Sequence, residues 1–505
     1  MRSNIFLGLF AAAFGAMALA SVGCGGGTET GTGGTGGGTT SSTTTSSSGV
    51  TTSSSSSGSG GSGGSADGCA TTFETAQELT PNDGQGAQCQ LPDPLVSERW
   101  FKFTGKAGDV VFLQTDAKPT SDETDPTYPD LVVTVYDDKK VQLARNDDPA
   151  QIAGQPHVND SELWTVLPKD GTYFLQVQEC NAVFGTTSCS DATEITNYDF
   201  AIGVGIIAKD PAENPNFTFE AEPNNDTAGA TPGLYAKGTN GNYYISQIYG
   251  GFSSATDVDV YKLDVPSDLV ALTNGDHAVL GFSALPGGTD GNGSTAQLGA
   301  MRLVDADDLT NDYALLDLAN AGDTAGLGLE PSIPPTQLGK SYYLFVQRPA
   351  NATAGANDFY IVWHYAFSSN PREADETGND TPAGAEALTD VVPPNLVAQY
   401  FVEGDLSSAT DLDHYSFAVP AAAKKVSVFC GGQRSGSGVR DLKVEVLNGA
   451  TSVGSTTEAV DKDAYLQSLT IPTGVTSLTL KISGGTPDAK VTSRFYRCGI
   501  ALAEM

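Results

Sequence analysis

Basic residues are scarce in this chain: 26 Lys and Arg stand against 60 Asp and Glu in 505 residues, a net charge of −34. A nucleic-acid binder needs clustered Lys and Arg to neutralise phosphates, so that class is set aside. A polybasic membrane-surface protein is set aside on the same ground. Charged residues of both signs reach 17%, below the usual ~25%, and no long stretch repeats its apolar residues every 3.6 positions. Helical bundles and coiled coils are therefore poor candidates. Histidine is limited to His157, His277, His364 and His414, which leaves His-based catalysis few candidates. Tryptophan is limited to Trp100, Trp164 and Trp363. Two of these fall in expected strands, where core packing is the reading, so no ligand-binding residue is nominated. The motif H-E-x-x-H is absent, as are C-x-x-C and any Cys/His cluster with zinc spacing.

What the chain has in quantity is glycine, 59 residues, and acid. Glycine with few charges favours β-structure with many turns. The acid excess suits a solvated exterior or sites for hard cations. At ~150 residues per domain the length fits about three domains.

Residues 1–23 read as a secretory signal peptide: Met1-Arg2-Ser3-Asn4 is a short positive start and Ile5 to Ala20 an apolar run too short for a membrane span. Two cleavage readings stand. Ala18-Leu19-Ala20 fits the small-x-small rule, and Ser21-Val22-Gly23-Cys24 resembles a bacterial lipobox with Ser21 where Leu is usual. The second makes Cys24 the lipidated first residue of the mature chain. Gly25 after the Cys resembles the outer-membrane sorting rule of some Gram-negative bacteria. Residues 24–68 then form a tether, almost wholly Gly, Ser and Thr from Gly25 to Ser65, with nothing to bury and so expected to be disordered. Within it Gly60-Gly61-Ser62-Gly63-Gly64 matches G-x-S-x-G, but that elbow needs a strand before it and a helix after it. The match is compositional.

Apart from Cys24 the cysteines number six: Cys69, Cys89, Cys180, Cys189, Cys430 and Cys498. An even count in an exported chain implies disulfides. Proximity prefers Cys69–Cys89, Cys180–Cys189 and Cys430–Cys498 among the possible pairings.

The chain repeats itself. Gly251-Phe252-Ser253-Ser254-Ala255-Thr256-Asp257-Val258-Asp259-Val260-Tyr261-Lys262-Leu263 returns 154 residues later as Asp405-Leu406-Ser407-Ser408-Ala409-Thr410-Asp411-Leu412-Asp413-His414-Tyr415-Ser416-Phe417. Upstream, Glu222-Pro223-Asn224-Asn225-Asp226-Thr227 returns at the same offset as Glu376-Thr377-Gly378-Asn379-Asp380-Thr381. Two matches at one offset indicate duplication. A more divergent copy starts near Cys69, with Ser97-Glu98-Arg99-Trp100-Phe101-Lys102-Phe103 in place of the Asp-x-Asp-x-Tyr strand. Short alternating strands fill each copy, among them Asp130 to Asp137, Gly171 to Val177, Tyr342 to Val346 and Leu478 to Ile482. Turn residues separate them. The fold class expected is all-β: tandem jelly-roll-like antiparallel β-sandwiches at 69–210, 216–368 and 372–505.

These motifs resemble the bacterial pre-peptidase C-terminal domain family. Its pattern is an E-P-N-(N/D) start, a D-x-D-x-Y-x-F strand, an A-G-D turn, an L-D-L-x-(L/V)-Y-D strand and a late G-T-Y-(Y/F)-(L/V)-x-V strand. Copy one carries Ala107-Gly108-Asp109, Asp130 to Asp137 and Gly171 to Val177. Copies two and three carry the start and the Asp-x-Asp-x-Tyr strand. The resemblance covers roughly residues 69 to 505. It implies a β-sandwich of the kind commonly appended to secreted peptidases and similar to the collagen-binding domains of clostridial collagenases. Related domains bind calcium through the start segment and the paired Asp.

Calcium takes six to eight oxygens. Copy two offers Glu220, Glu222, Asn224, Asn225, Asp257 and Asp259, the two Asp being expected at the core's rim. Copy three offers Asp375, Glu376, Asn379, Asp411 and Asp413, with Gly378 in place of Asn224. Copy one, with Ser97 and Arg99 at the Asp positions, is expected to be metal-free. The alternative is that Asn225-Asp226-Thr227 and Asn379-Asp380-Thr381 merely cap a turn. A bound calcium is expected to be structural. His414 is expected to point away from the core and be exposed.

No local motif fixes a triad, and acids are too many for spacing to single out a glycosidase pair. The Asp pairs recur within a duplicated module, which favours metal or structure over chemistry. The expectation is a non-catalytic lipoprotein, anchored to the membrane by its lipid at the outer membrane or cell surface of a Gram-negative bacterium, binding polysaccharide or extracellular protein. The alternative is a structural spacer or accessory subunit for a secreted peptidase. A divergent hydrolase ranks last.

Overall fold

The computed structural model describes residues 68–504 except 84–85, 94–95, 118–129, 148–159, 186–188, 190–197, 211, 215–216, 238–243, 270–272, 274–276, 287–292, 318–326, 369–370, 375–377, 392–395, 459–462 and 485–486. The signal segment, Cys24, the tether, His157, Asp375 and Glu376 all lie outside the described residues.

The strands assemble into six sheets that pair face to face. In the first pair, one sheet runs Gln77–Glu78, Arg99–Gly105, Gly171–Glu179, Leu131–Tyr136, Gln142–Asn146, and the other runs Ala87–Leu91, Tyr198–Ile207, Val110–Ala117, Glu162–Val166. The second pair repeats this path: Thr231–Gly233, Val258–Asp264, Ser341–Gln347, Ala300–Asp305, Ala314–Asp317 face Phe217–Phe219, Tyr244–Gly251, Phe359–Ser368, Ala278–Pro286, Leu327–Leu329. So does the third: Glu386–Ala387, Leu412–Ala418, Ser477–Ser483, Lys443–Asn448, Thr451–Thr457 face Ala398–Asp405, Phe495–Ala503, Lys425–Gly431, Ala464–Thr470. The architecture is all-β sandwich, three times over.

Alternation explains each core. Along Ser341–Gln347 every second residue is buried, so Tyr342, Leu344 and Val346 enter the core while Tyr343 and Phe345 lean outward. Separate apolar clusters fill the three interiors, around Phe101 and Leu175, around Tyr261 and Leu344, and around Tyr415 and Leu480. Three disulfides, Cys69–Cys89, Cys180–Cys189 and Cys430–Cys498, staple the chain. Disulfides of this kind are a mark of exported chains. No helix among the described residues is long and apolar enough to cross a membrane.

The sheets are antiparallel except at one edge. Short strands join in parallel there: Gln77–Glu78 on Arg99–Gly105, Phe217–Phe219 on Tyr244–Gly251, Thr231–Gly233 on Val258–Asp264 and Glu386–Ala387 on Leu412–Ala418. In the second sandwich the start segment therefore leaves one sheet at Phe219 and enters the facing sheet at Thr231. Glu220 to Asn225 must cross the end of the core between them.

The sandwiches dock on one another. Between the first two, Val110 and Trp164 pack with Tyr249, Phe359 and Ile361, joined by partly buried Phe112, Phe217 and Trp363. Asn357 spans this junction, accepting from Thr165 Oγ1 at 3.0 Å and donating to the Trp164 carbonyl at 3.2 Å. Core packing was the expectation for two of the three tryptophans; Trp164 and Trp363 serve the junction. Between the second and third, Glu403 is fully buried and held by Arg372 Nη1 and Arg497 Nε, both at 3.0 Å. Ser332 of the second sandwich donates to the same carboxylate.

Candidate functional site

The crossing segment sets the site. The backbone N–H of Val260 donates to the Asn224 carbonyl at 3.0 Å, which pins Asn224 over the head of the Val258–Asp264 strand. Its side chain is fully buried, and Nδ2 donates to Glu220 Oε1 at 3.0 Å. Glu220 Oε2 in turn accepts from the Gly251 N–H at 2.7 Å. Alternation along the strand turns Asp259 inward with Tyr261 and Leu263. Carboxylate oxygens of Glu220, Glu222 and Asp259 lie within 4.8 Å of one another.

Behind Asp259 runs a chain of hydroxyls. Tyr360 donates to Asp259 Oδ2 at 2.5 Å, and Tyr261 and Tyr360 share a hydrogen bond at 2.7 Å. Only glycine fits beside them, because a Cβ on Gly250 would run into both hydroxyls. The electrostatics follow from burial. Asp259 is pushed up to about 10, first by loss of water and then by the Glu220 charge. Glu220 is also raised, chiefly by burial. No donor reaches Asp259 Oδ1 or Asn224 Oδ1, although both atoms are buried. Crowded carboxyls and orphaned buried acceptors are the surroundings a hard cation, or protons in its absence, would satisfy.

Asp259 is thus inside the core and not at its rim. Asp257 is buried too but serves its own turn: Oδ2 accepts from Ser253 N–H and Oγ, and Oδ1 accepts from Asn225 Nδ2 at 3.0 Å. Asn225 and Asp257 form a separate pair. Asp226 caps the turn, taking the N–H groups of Ala228 and Gly229 at 3.0 and 2.9 Å. The capping reading and the carboxylate cluster coexist in neighbouring residues.

The third sandwich repeats the arrangement with a shifted alignment. Asn379, fully buried, takes the place of Asn224: its carbonyl accepts from the His414 N–H at 3.1 Å, and its Nδ2 donates to Glu373 Oε1 at 2.6 Å. Asn379, not Gly378, is therefore the counterpart of Asn224, and the expected alignment is corrected. The Glu–Asn spacing is four residues in copy two and six in copy three, and that longer loop misplaced the alignment by one. Glu373, which the motif comparison missed, is the counterpart of Glu220. It is pushed up to about 8 by burial and the Asp413 charge. Tyr496 donates to Asp413 Oδ2 at 2.6 Å and bonds to Tyr415 at 2.5 Å. Asp411 repeats Asp257, bonded to Ser407 N–H and Oγ.

His414 is buried, not exposed. The crossing segment covers that outer face, and His414 Nδ1 bonds to the same Asn379 carbonyl at 3.0 Å. Its protonation is suppressed, first by burial. In the first sandwich Arg99 occupies the inward position of Asp259 and is buried. Phe101 and Phe200, edge to face at 6.4 Å, stand where the others have two tyrosines. Acid and hydroxyls are lost together there.

No family model matches the chain, and no curated protein matches it. Similar solved structures include tandem CBM51 modules of a family 98 glycoside hydrolase from Streptococcus pneumoniae, at 12% identity, 52% of this chain, 84% of that one and a TM-score of 0.17. A tandem CBM22 domain from Paenibacillus barcinonensis covers 56% of this chain and 86% of its own at 12% identity and a TM-score of 0.18. A triple jelly-roll protein of an archaeal virus covers 85% and 82% at 8% identity and a TM-score of 0.16. At such scores the fold rests on the chain's own sheets and no function is carried over.

Proposed function

We propose that this chain is a non-catalytic binding protein of the cell surface, exported and held by lipid on Cys24, that presents three pre-peptidase-like sandwiches to a polysaccharide or an extracellular protein. Calcium is its structural ion. In copy two Glu220, Glu222, Asp259 and the Asn224 amide oxygen would hold it, and in copy three Glu373, Asp413 and the Asn379 amide oxygen. The ion supplies positive charge where carboxyls crowd. The protein's own residues do the rest: the asparagine carbonyl fixes the crossing segment to the strand, and the tyrosine pair fixes the aspartate.

The observation that carries this reading is the repetition of one buried Glu–Asn–Asp–Tyr–Tyr arrangement in two sandwiches. Each acid is locked by a backbone amide or a buried tyrosine, which suits holding an ion better than moving a proton through a reaction. A second reading, a rigid spacer or accessory subunit for a secreted peptidase, is favoured by the two junctions, where aromatic packing and the Glu403–Ser332 and Arg497–Glu330 contacts join the sandwiches. Capture on the immobilised full chain separates the two. Retention of a polysaccharide or matrix protein supports the binder. Retention of nothing, in calcium or in chelator, leaves the spacer.

A further inference from the structure

A cleft of about 820 Å³ lies where the second and third sandwiches meet. Clefts of roughly 300–1,000 Å³ accommodate small ligands. Backbone hydrogen bonds fix its walls: Asp312 N–H to the Lys490 carbonyl and Thr492 N–H to the Asp312 carbonyl, both at 2.9 Å, and Ser493 N–H to the Tyr313 carbonyl at 3.1 Å. Ser332 bonded to the buried Glu403, and Arg497 paired with Glu330 at 3.7 Å, hold the same two sandwiches together. A preformed cleft loses little affinity to ordering.

Its chemistry selects the ligand. Asp305, Asp405 and Asp488 line it, and each already carries a cation: Lys340 at 3.3 Å, Arg372, and Arg440 at 3.1 Å. Such carboxylates are fixed acceptors whose charge is met from their own side, a wall for hydroxyl donors more than for an ammonium group. Arg494 adds a donor to the same lining, and Asp308, also in it, is bonded to the Thr310 N–H at 3.0 Å and to Asn311 Nδ2 at 3.2 Å. Ser493 supplies an independent sign. It lines the cleft at 8% exposure, and its hydroxyl, buried, has no hydrogen-bond partner. A buried hydroxyl without a partner is costly, and a ligand hydroxyl would satisfy it.

We propose that this cleft binds a neutral oligosaccharide of about two or three sugars. This deepens the polysaccharide arm of the proposed function and rests on it. The test is calorimetric titration of the full chain with cellotriose, maltotriose, laminaritriose and chitotriose, and with a Lys/Arg hexapeptide as the competing chemistry. Ala489 lines the mouth on an exposed turn, so Ala489→Trp fills the cleft without touching a core, and Arg494→Ala removes a donor. One trisaccharide should bind independently of salt and weaken about tenfold or more in either variant. Binding of the peptide alone, lost on adding salt, overturns the proposal. So does trisaccharide binding that Ala489→Trp and Arg494→Ala leave unchanged. Polysaccharide still captured by both variants sinks the cleft and spares the proposed function; capture of no polysaccharide by the native chain sinks the saccharide reading with it.

Discussion

Tyr360 reaches across the second sandwich to donate its hydroxyl to Asp259 at 2.5 Å, and Tyr496 does the same for Asp413 in the third at 2.6 Å. In each case the donor belongs to one sheet and the acid to the facing one. The bond therefore ties sheet to sheet and fixes one acid of the candidate cation site. Tyr360→Phe removes the donor from a fully buried acid and should cost about 1–3 kcal/mol in chemical denaturation. Tyr496→Phe should cost a similar amount. A loss under about 0.5 kcal/mol in both would mean that the hydroxyl chain contributes nothing.

The same acids make stability depend on pH, with a definite sign. Asp259 and Glu373 are raised on folding, to about 10 and about 8. Unfolded carboxyls titrate near ~4. Without calcium, their contribution is complete below that value and is lost as pH climbs through the folded values. In chelator the melting temperature should fall between about pH 5 and pH 9. Calcium needs the ionised acids and should reverse the trend. The variant Asp259→Asn/Asp413→Asn should flatten both curves. Parallel curves for native and variant chains would rule this out.

Glu403 is the keystone of the second junction, fully buried between two guanidinium groups. Glu403→Ala removes the acid the two share and the bond to Ser332, leaving Arg372 only Asp405 and Arg497 only Glu330, at a cost of about 3–5 kcal/mol. The expected readout is a calorimetric transition that splits, with the third sandwich melting apart from the second. A single transition of unchanged midpoint would show that the cluster does not couple them.

The repeat and the class of fold were legible because they rest on alternation and duplicated motifs. Ser341–Gln347 buries every second residue, as its Tyr-Tyr-Leu-Phe-Val run implies. The site was half legible. Glu220, Glu222, Asn224 and Asp259 converge, but Asn225 and Asp257 bond to each other instead. Glu373 was hidden by a two-residue difference in loop length, which a fixed offset cannot follow. His414 was misread because strand alternation describes two faces and knows nothing of a segment laid across one of them. The late tyrosines left a trace, Phe359-Tyr360 and Phe495-Tyr496, against Asp199-Phe200 in copy one. Strand position suggested core for two of the three tryptophans, but pattern alone does not distinguish an interior from the docked exterior where Trp164 and Trp363 sit.

Calcium stoichiometry on the full chain, by equilibrium dialysis in physiological salt, tests the account most directly. The prediction is two tight ions per chain, one after Asp259→Asn and none after Asp413→Asn is added, with the first sandwich contributing nothing. A native chain that holds no calcium, or two ions that survive both substitutions, would contradict it.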